Sequence, residues 1–123
     1  MRTPITFDDI RAQALIWPGV EDGTSYGTPA LKVRGKFLTR LREDGDTLVV
    51  TGVDSDERAL LMAMEPAVYH VTDHYLGWPT VLVRLSGIPD GPSLDKVVAL
   101  LHRHWRAVAP KALVRQFDAG APA

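Results

Sequence analysis

Apolar and polar positions alternate through "PALKVRGKFLTRL": Leu31 and Val33 flank Lys32, and Phe37, Thr39 and Leu41 are interleaved with Lys36, Leu38 and Arg40. A period of two on both sides of Arg34-Gly35 predicts a β-hairpin, with the glycine supplying a positive φ. "EDGD", Glu43 to Asp46, predicts a second hairpin turn, "TLVVTGV" the next strand of a meander, and Val20 to Tyr26 a short strand ahead of them. Elsewhere the period lengthens. Phe7, Ile10, Ala14 and Trp17 recur at helical spacing behind Thr6 and Asp9, a cap and its reciprocal acid, so a helix is expected over 6–16, stopped by Pro18-Gly19. Asp54 and Glu57 repeat the capping spacing before a helix that ends at Glu65, ahead of Pro66. Two strands, 68–74 and 80–85, follow on either side of Tyr75 to Pro79. "IPDGP" reads as a loop and Ser93 as the cap of a last helix with an apolar stripe of Leu94, Val97, Val98, Leu101, Trp105 and Val108. Pro110 ends that helix, and 118–123, "DAGAPA", reads as a frayed tail.

Runs of strands with helices inserted, instead of strict strand–helix alternation, predict an α+β fold: an antiparallel β-sheet with helices packed on one face. The whole of 1–117 is expected to be one domain. The face away from the helices would carry Lys32, Arg34 or Lys36, Arg40 and Arg84, with the register deciding which of them point outward.

The chain has 123 residues, 46% hydrophobic and 24% charged, with a formal net charge of −1, so nucleic-acid binding would require a local basic patch. Absence of cysteine removes disulfides, thiolate catalysis and cysteine metal sites. The N-terminal stretch turns acidic at Asp8 and Asp9 and no apolar run is long enough to span a membrane, so a cytoplasmic protein and a monomer are expected.

Catalytic patterns are sparse. His70 and His74 would share a face if both lay in one strand, but no third metal ligand accompanies them. Gly23-Thr24-Ser25-Tyr26-Gly27 matches GxSxG by letter, yet it lacks the buried strand before and the helix after that a nucleophile elbow needs. Neither a catalytic residue nor a cofactor is expected. The basic residues say more: Lys96 to Phe117 contains no acid, while Lys96, Arg103, Arg106, Lys111 and Arg115 supply positive charge. Such a helix beside a basic sheet face suits phosphate contacts. "DHYLGWP" gathers His74, Tyr75 and Trp78. Its aromatics are expected to pack inward and His74 to stay outside; the alternative is a ligand pocket bounded by Tyr75, Trp78 and Tyr26 with His74 at its mouth.

The blocks "YGTPALKVRGK" and "TDHYLGWP", in this order and followed by a helix ending "HWRAVAPKAL", resemble the MmcQ/YjbR family of small bacterial proteins. That resemblance implies a CyaY-like, YjbR-like architecture similar to frataxin and non-specific DNA binding through a double wing of hairpins. By position, Lys32, Arg34, Lys36 and Arg40 would belong to the wing, His74, Tyr75 and Trp78 to the histidine–aromatic block, and Arg103, Arg106 and Lys111 to the terminal basic segment; Arg84, from the sheet face, would extend the phosphate-contacting surface. The frataxin likeness also suggests iron, but only Asp8 and Asp9 stand where an acidic ridge would be, and both serve the helix cap.

Overall fold

A computed structural model describes residues 4–120. Its elements run α1 (Phe7–Ala14), β1 (Val20–Ser25), β2 (Thr28–Val33), β3 (Lys36–Leu41), β4 (Thr47–Thr51), α2 (Ser55–Met64), β5 (Tyr69–His70), β6 (Thr80–Arg84), α3 (Gly91–Val108) and α4 (Lys111–Asp118). The six strands form one antiparallel sheet in the order β1-β2-β3-β4-β6-β5. With four helices, this is the expected α+β class.

Local chemistry accounts for the turns. Tyr26-Gly27 (φ 53° and 78°) joins β1 to β2, and Arg34-Gly35 (φ 50° and 84°) joins β2 to β3. Two successive positive φ angles give the primed turn whose twist matches the flanking strands. At the helix starts, Thr6 N donates to Asp9 Oδ2 (2.8 Å) and Glu57 N to Asp54 Oδ1 (2.8 Å), as the spacing predicts.

Three boundaries differ from the sequence reading. The last helix is capped by Asp90, which accepts from Ser93 N at 2.9 Å, so Gly91-Pro92 lie inside its first turn, where proline loses no bond. The strand expected over 68–74 is two residues long and gives way to a 3₁₀ turn, Asp73–Tyr75. Pro110 ends α3 but serves as the cap residue of α4, so Asp118 closes a helix and pairs with Arg106 (2.7 Å) instead of fraying. Residues 121–123, the end of the expected tail, lie outside the described residues.

One face of the sheet lies under the helices. Leu31, Val33, Leu48, Val50, Val81 and Val83 meet Ile10, Leu61, Val97, Leu101 and Trp105 in one continuous core. Each fully buried aliphatic side chain there contributes about 2 kcal/mol. Trp105 Nε1 donates to Pro18 O at 3.0 Å, tying α3 to the α1–β1 corner. A bulge interrupts β3: pairing shifts from Leu31↔Thr39 to Lys32↔Phe37, leaving Leu38 without a partner opposite, and Leu38 and Thr39 are both fully buried. Among the described residues, no helix is long and apolar enough to cross a membrane.

Candidate functional site

Among the described residues the other sheet face carries no helix layer, and a cleft is built on it. Residues paired across antiparallel strands project to the same side. Arg40 pairs with Val49 and Val49 with Leu82, while Thr51 pairs with Thr80 two residues further along, which places all five on the open face. Two walls rise from this floor. Tyr26 stands at the β1–β2 turn, 86% exposed, and His74, Tyr75 and Trp78 stand on the segment between β5 and β6. With Phe37, Ser25 and Glu43 they enclose a cleft of about 780 Å³. That volume suits a small organic ligand, and the lining is aromatic with a few polar groups.

Arg40 is the charged group of the floor and is only 8% exposed. Its guanidinium lies 5.2 Å from the centroid of the Tyr26 ring, a cation–π distance. Nη1 donates to Glu43 Oε1 (3.2 Å), and more loosely to Thr28 Oγ1 (3.4 Å) and Leu41 O (3.5 Å). Burial works against the charge, but the Tyr75 hydroxyl and the Glu43 carboxylate outweigh it and hold the Arg40 pKa above the ordinary arginine value. Glu43 is held below the usual range by its own backbone N–H and by Arg40. Arg42 lies 5.7 Å from the Tyr75 ring centroid, and His74 meets Tyr75 edge-on at 4.9 Å.

The aromatic wall is held from behind by a residue that the sequence reading missed. Arg58 of α2 is 6% exposed and donates to four backbone carbonyls: Thr80 (2.9 Å), Trp78 (3.1 Å), Leu76 (3.3 Å) and Tyr75 (3.5 Å). Trp78 was expected to pack inward, yet it is 66% exposed. The inside of this loop is occupied by a guanidinium, which takes the carbonyls and leaves the indole to the cleft. A signal did exist: position 58 lies one helical turn before the buried Leu61, so a charge sits on the inner stripe of α2.

The basic residues do not converge. Lys32 pairs with Phe37 and Arg84 with Thr47, on the open face with Arg40. Lys36 pairs with the core residue Val33, and Arg34 sits in the hairpin turn. Arg103 and Arg106 belong to α3 and Lys111 to α4, in the helix layer on the opposite side of the sheet. Several are already engaged. Arg103 grips Glu57 at 2.6 and 2.9 Å, Arg106 grips Asp118 at 2.7 and 3.1 Å, and Arg84 donates to Ala67 O at 2.9 Å. Lys32, Arg34 and Lys36 make no ion pair among the described residues.

The histidines are likewise dispersed. His70 ends β5 whereas His74 lies in the 3₁₀ turn, so the shared strand face that a metal pair would need does not form. Among the described residues, no three His, Cys, Asp or Glu side chains come together as metal ligands. Ser25 of the GxSxG-like stretch ends a strand that turns into another strand.

Comparison with known proteins gives the family context. Residues 15–107 match the YjbR family model. An uncharacterised protein of Mycobacterium bovis and its counterparts in two strains of Mycobacterium tuberculosis are each 35% identical over 96 residues, covering 76% of this chain and 71% of the relative. No solved structure matches significantly.

Proposed function

This chain belongs to the YjbR family, and we propose that it is a non-enzymatic binding module that takes a small planar ligand in the cleft between Tyr26 and the His74–Trp78 segment. The supporting observation is convergence: aromatics from the β1–β2 turn, β3 and the β5–β6 segment surround a buried guanidinium on an otherwise open sheet face. Two of the largest exposed apolar side chains, Tyr26 and Trp78, line this cleft. Leaving them in water sacrifices burial free energy, and a ring inserted between them would recover it.

Ligand-observed NMR with quinoline and adenosine as planar probes tests this reading. Dissociation constants on the order of 100 μM are expected for probes of this size. Trp78→Ala and Tyr26→Ala should each weaken binding about tenfold, the loss of one aromatic contact. Binding that neither substitution disturbs would move the site elsewhere, and no binding by either probe would remove the cleft reading.

A second reading has its own support: among the described residues Lys32, Arg34 and Lys36 on the β2–β3 hairpin have no ion partners, as a wing contacting DNA phosphates would require. Three such contacts give a log–log salt slope of about −3 on duplex DNA. Fluorescence anisotropy that shows this slope, and its loss in Lys32→Ala/Lys36→Ala, would establish the wing. Under the cleft reading, duplex DNA leaves the anisotropy flat.

A further inference from the structure

We infer that the ligand of this cleft is a planar ring carrying a single carboxylate, an inference that rests on the cleft being a ligand site. The argument begins with how Arg40 spends its donors. All three of its hydrogen bonds run through Nη1, two of them at the outer limit of length. Nε and Nη2 make no hydrogen bond among the described residues and are not among the fully buried unpartnered atoms, so this edge reaches solvent; the Tyr75 hydroxyl is a further polar neighbour of the guanidinium. Arg40 is thus a residue only 8% exposed whose remaining exposure includes an unbonded Nε–Nη2 edge, and largely buried charges ordinarily carry a full set of partners.

That edge is a two-pronged donor whose spacing matches the two oxygens of a carboxylate. Arg40 lines the cleft, so the acceptor this edge lacks would come from the ligand. The present counter-ion is poorly placed to serve: Glu43 reaches only Nη1, at 3.2 Å, and its side chain is 62% exposed. Its negative charge beside the site also disfavours a phosphate dianion more than a carboxylate. The ring lies beyond the carboxylate. Tyr26 on one side and Trp78 on the other offer π faces, and Ser25 and Thr80 bring hydroxyls for ring substituents.

Three probes of one shape separate the possibilities: 2-naphthoate, 2-naphthamide and 2-naphthyl phosphate, each titrated into the full chain by ligand-observed NMR. Naphthoate should bind at least about tenfold tighter than naphthamide, the usual advantage of a charge-assisted bidentate bond. Arg40→Gln should abolish that ratio. Because Arg40 is buried, Glu43→Gln is measured beside it. This exposed substitution keeps the guanidinium and removes the competing charge, so naphthoate should tighten several-fold relative to naphthamide. Equal binding of naphthoate and naphthamide, both still weakened by Trp78→Ala, would overturn the carboxylate and leave the cleft as a ligand site. Tightest binding by naphthyl phosphate, or a Glu43→Gln protein with unaltered naphthoate affinity, would also overturn it. Failure of all three probes would remove the cleft reading and this inference together.

Discussion

Tyr26 unites backbone strain and exposure in one residue. Its φ of 53° lies in the left-handed region, where a side chain with a Cβ is disfavoured and an aromatic one especially so. The turn it opens would be served better by asparagine, the usual first residue of this primed turn. Stability therefore does not explain a tyrosine here, whereas its ring over Arg40 and beside the cleft does. Tyr26→Asn is expected to raise stability by about 0.5–1 kcal/mol, by relieving the backbone. The same substitution should weaken planar probes about tenfold. Urea denaturation and NMR titration on one variant check both halves. A destabilised Tyr26→Asn protein would mean that the ring's contact with Arg40 outweighs the strain. Arg34, with φ 50° in the equivalent position of the next hairpin, provides the control, because it lies outside the cleft lining.

Between elements, Arg58 joins α2 to the cleft wall, and the same residue marks where the sequence stopped being legible. Strands, hairpin turns and two of the helix caps follow from spacing, since period-two alternation, X-Gly pairs and Thr6/Asp9-type caps are local signals. The β3 bulge, the shortening of β5 and the outward Trp78 depend on what another element supplies. For Trp78 that is a guanidinium twenty residues earlier in the chain. The clustering of Tyr26 with Tyr75 and Trp78 is one of the alternatives that the sequence offers. Arg40 was assigned to a phosphate-contacting wing, because alternation gives its face but not its depth. Truncating Arg58 would strand four carbonyls, so Arg58→Ala is expected to cost about 3 kcal/mol. Arg58→Lys, which keeps the charge but lacks the fork, should recover only part of that. Hydrogen exchange should show the damage concentrated in 73–80. A uniform loss across the sheet would mean instead that Arg58 supports the core as a whole.

At the scale of the whole molecule, partly buried imidazoles on both sides of the sheet make stability depend on pH. His70, His102 and His104 are all held below the ordinary histidine value, each chiefly by burial. Arg84 and Arg42 add to the effect at His70 against Asp44, and Arg106 adds to it at His102 against Asp118. His102 is packed among Trp17, Trp105 and Phe117 at 4.7–5.2 Å, and its Nδ1 is buried without a partner. The unfolded chain takes up these protons near pH 6.5, whereas the folded chain takes them up only below that. In that window the unfolded state binds more protons, so stability rises with pH there. The contribution is complete above about pH 6.5 and is lost as pH falls through the depressed folded values. Glu43, Asp44 and Asp118, held low by their partners, add a loss of the same sign below about pH 4.5. The urea midpoint should thus be level from pH 7 to 8, fall as the pH drops below about 6.5, and fall again in stronger acid. His102→Phe, which keeps the aromatic stack, should shrink the first step and leave the second. A midpoint that stays level down to pH 5 would mean that these imidazoles open to water before they protonate.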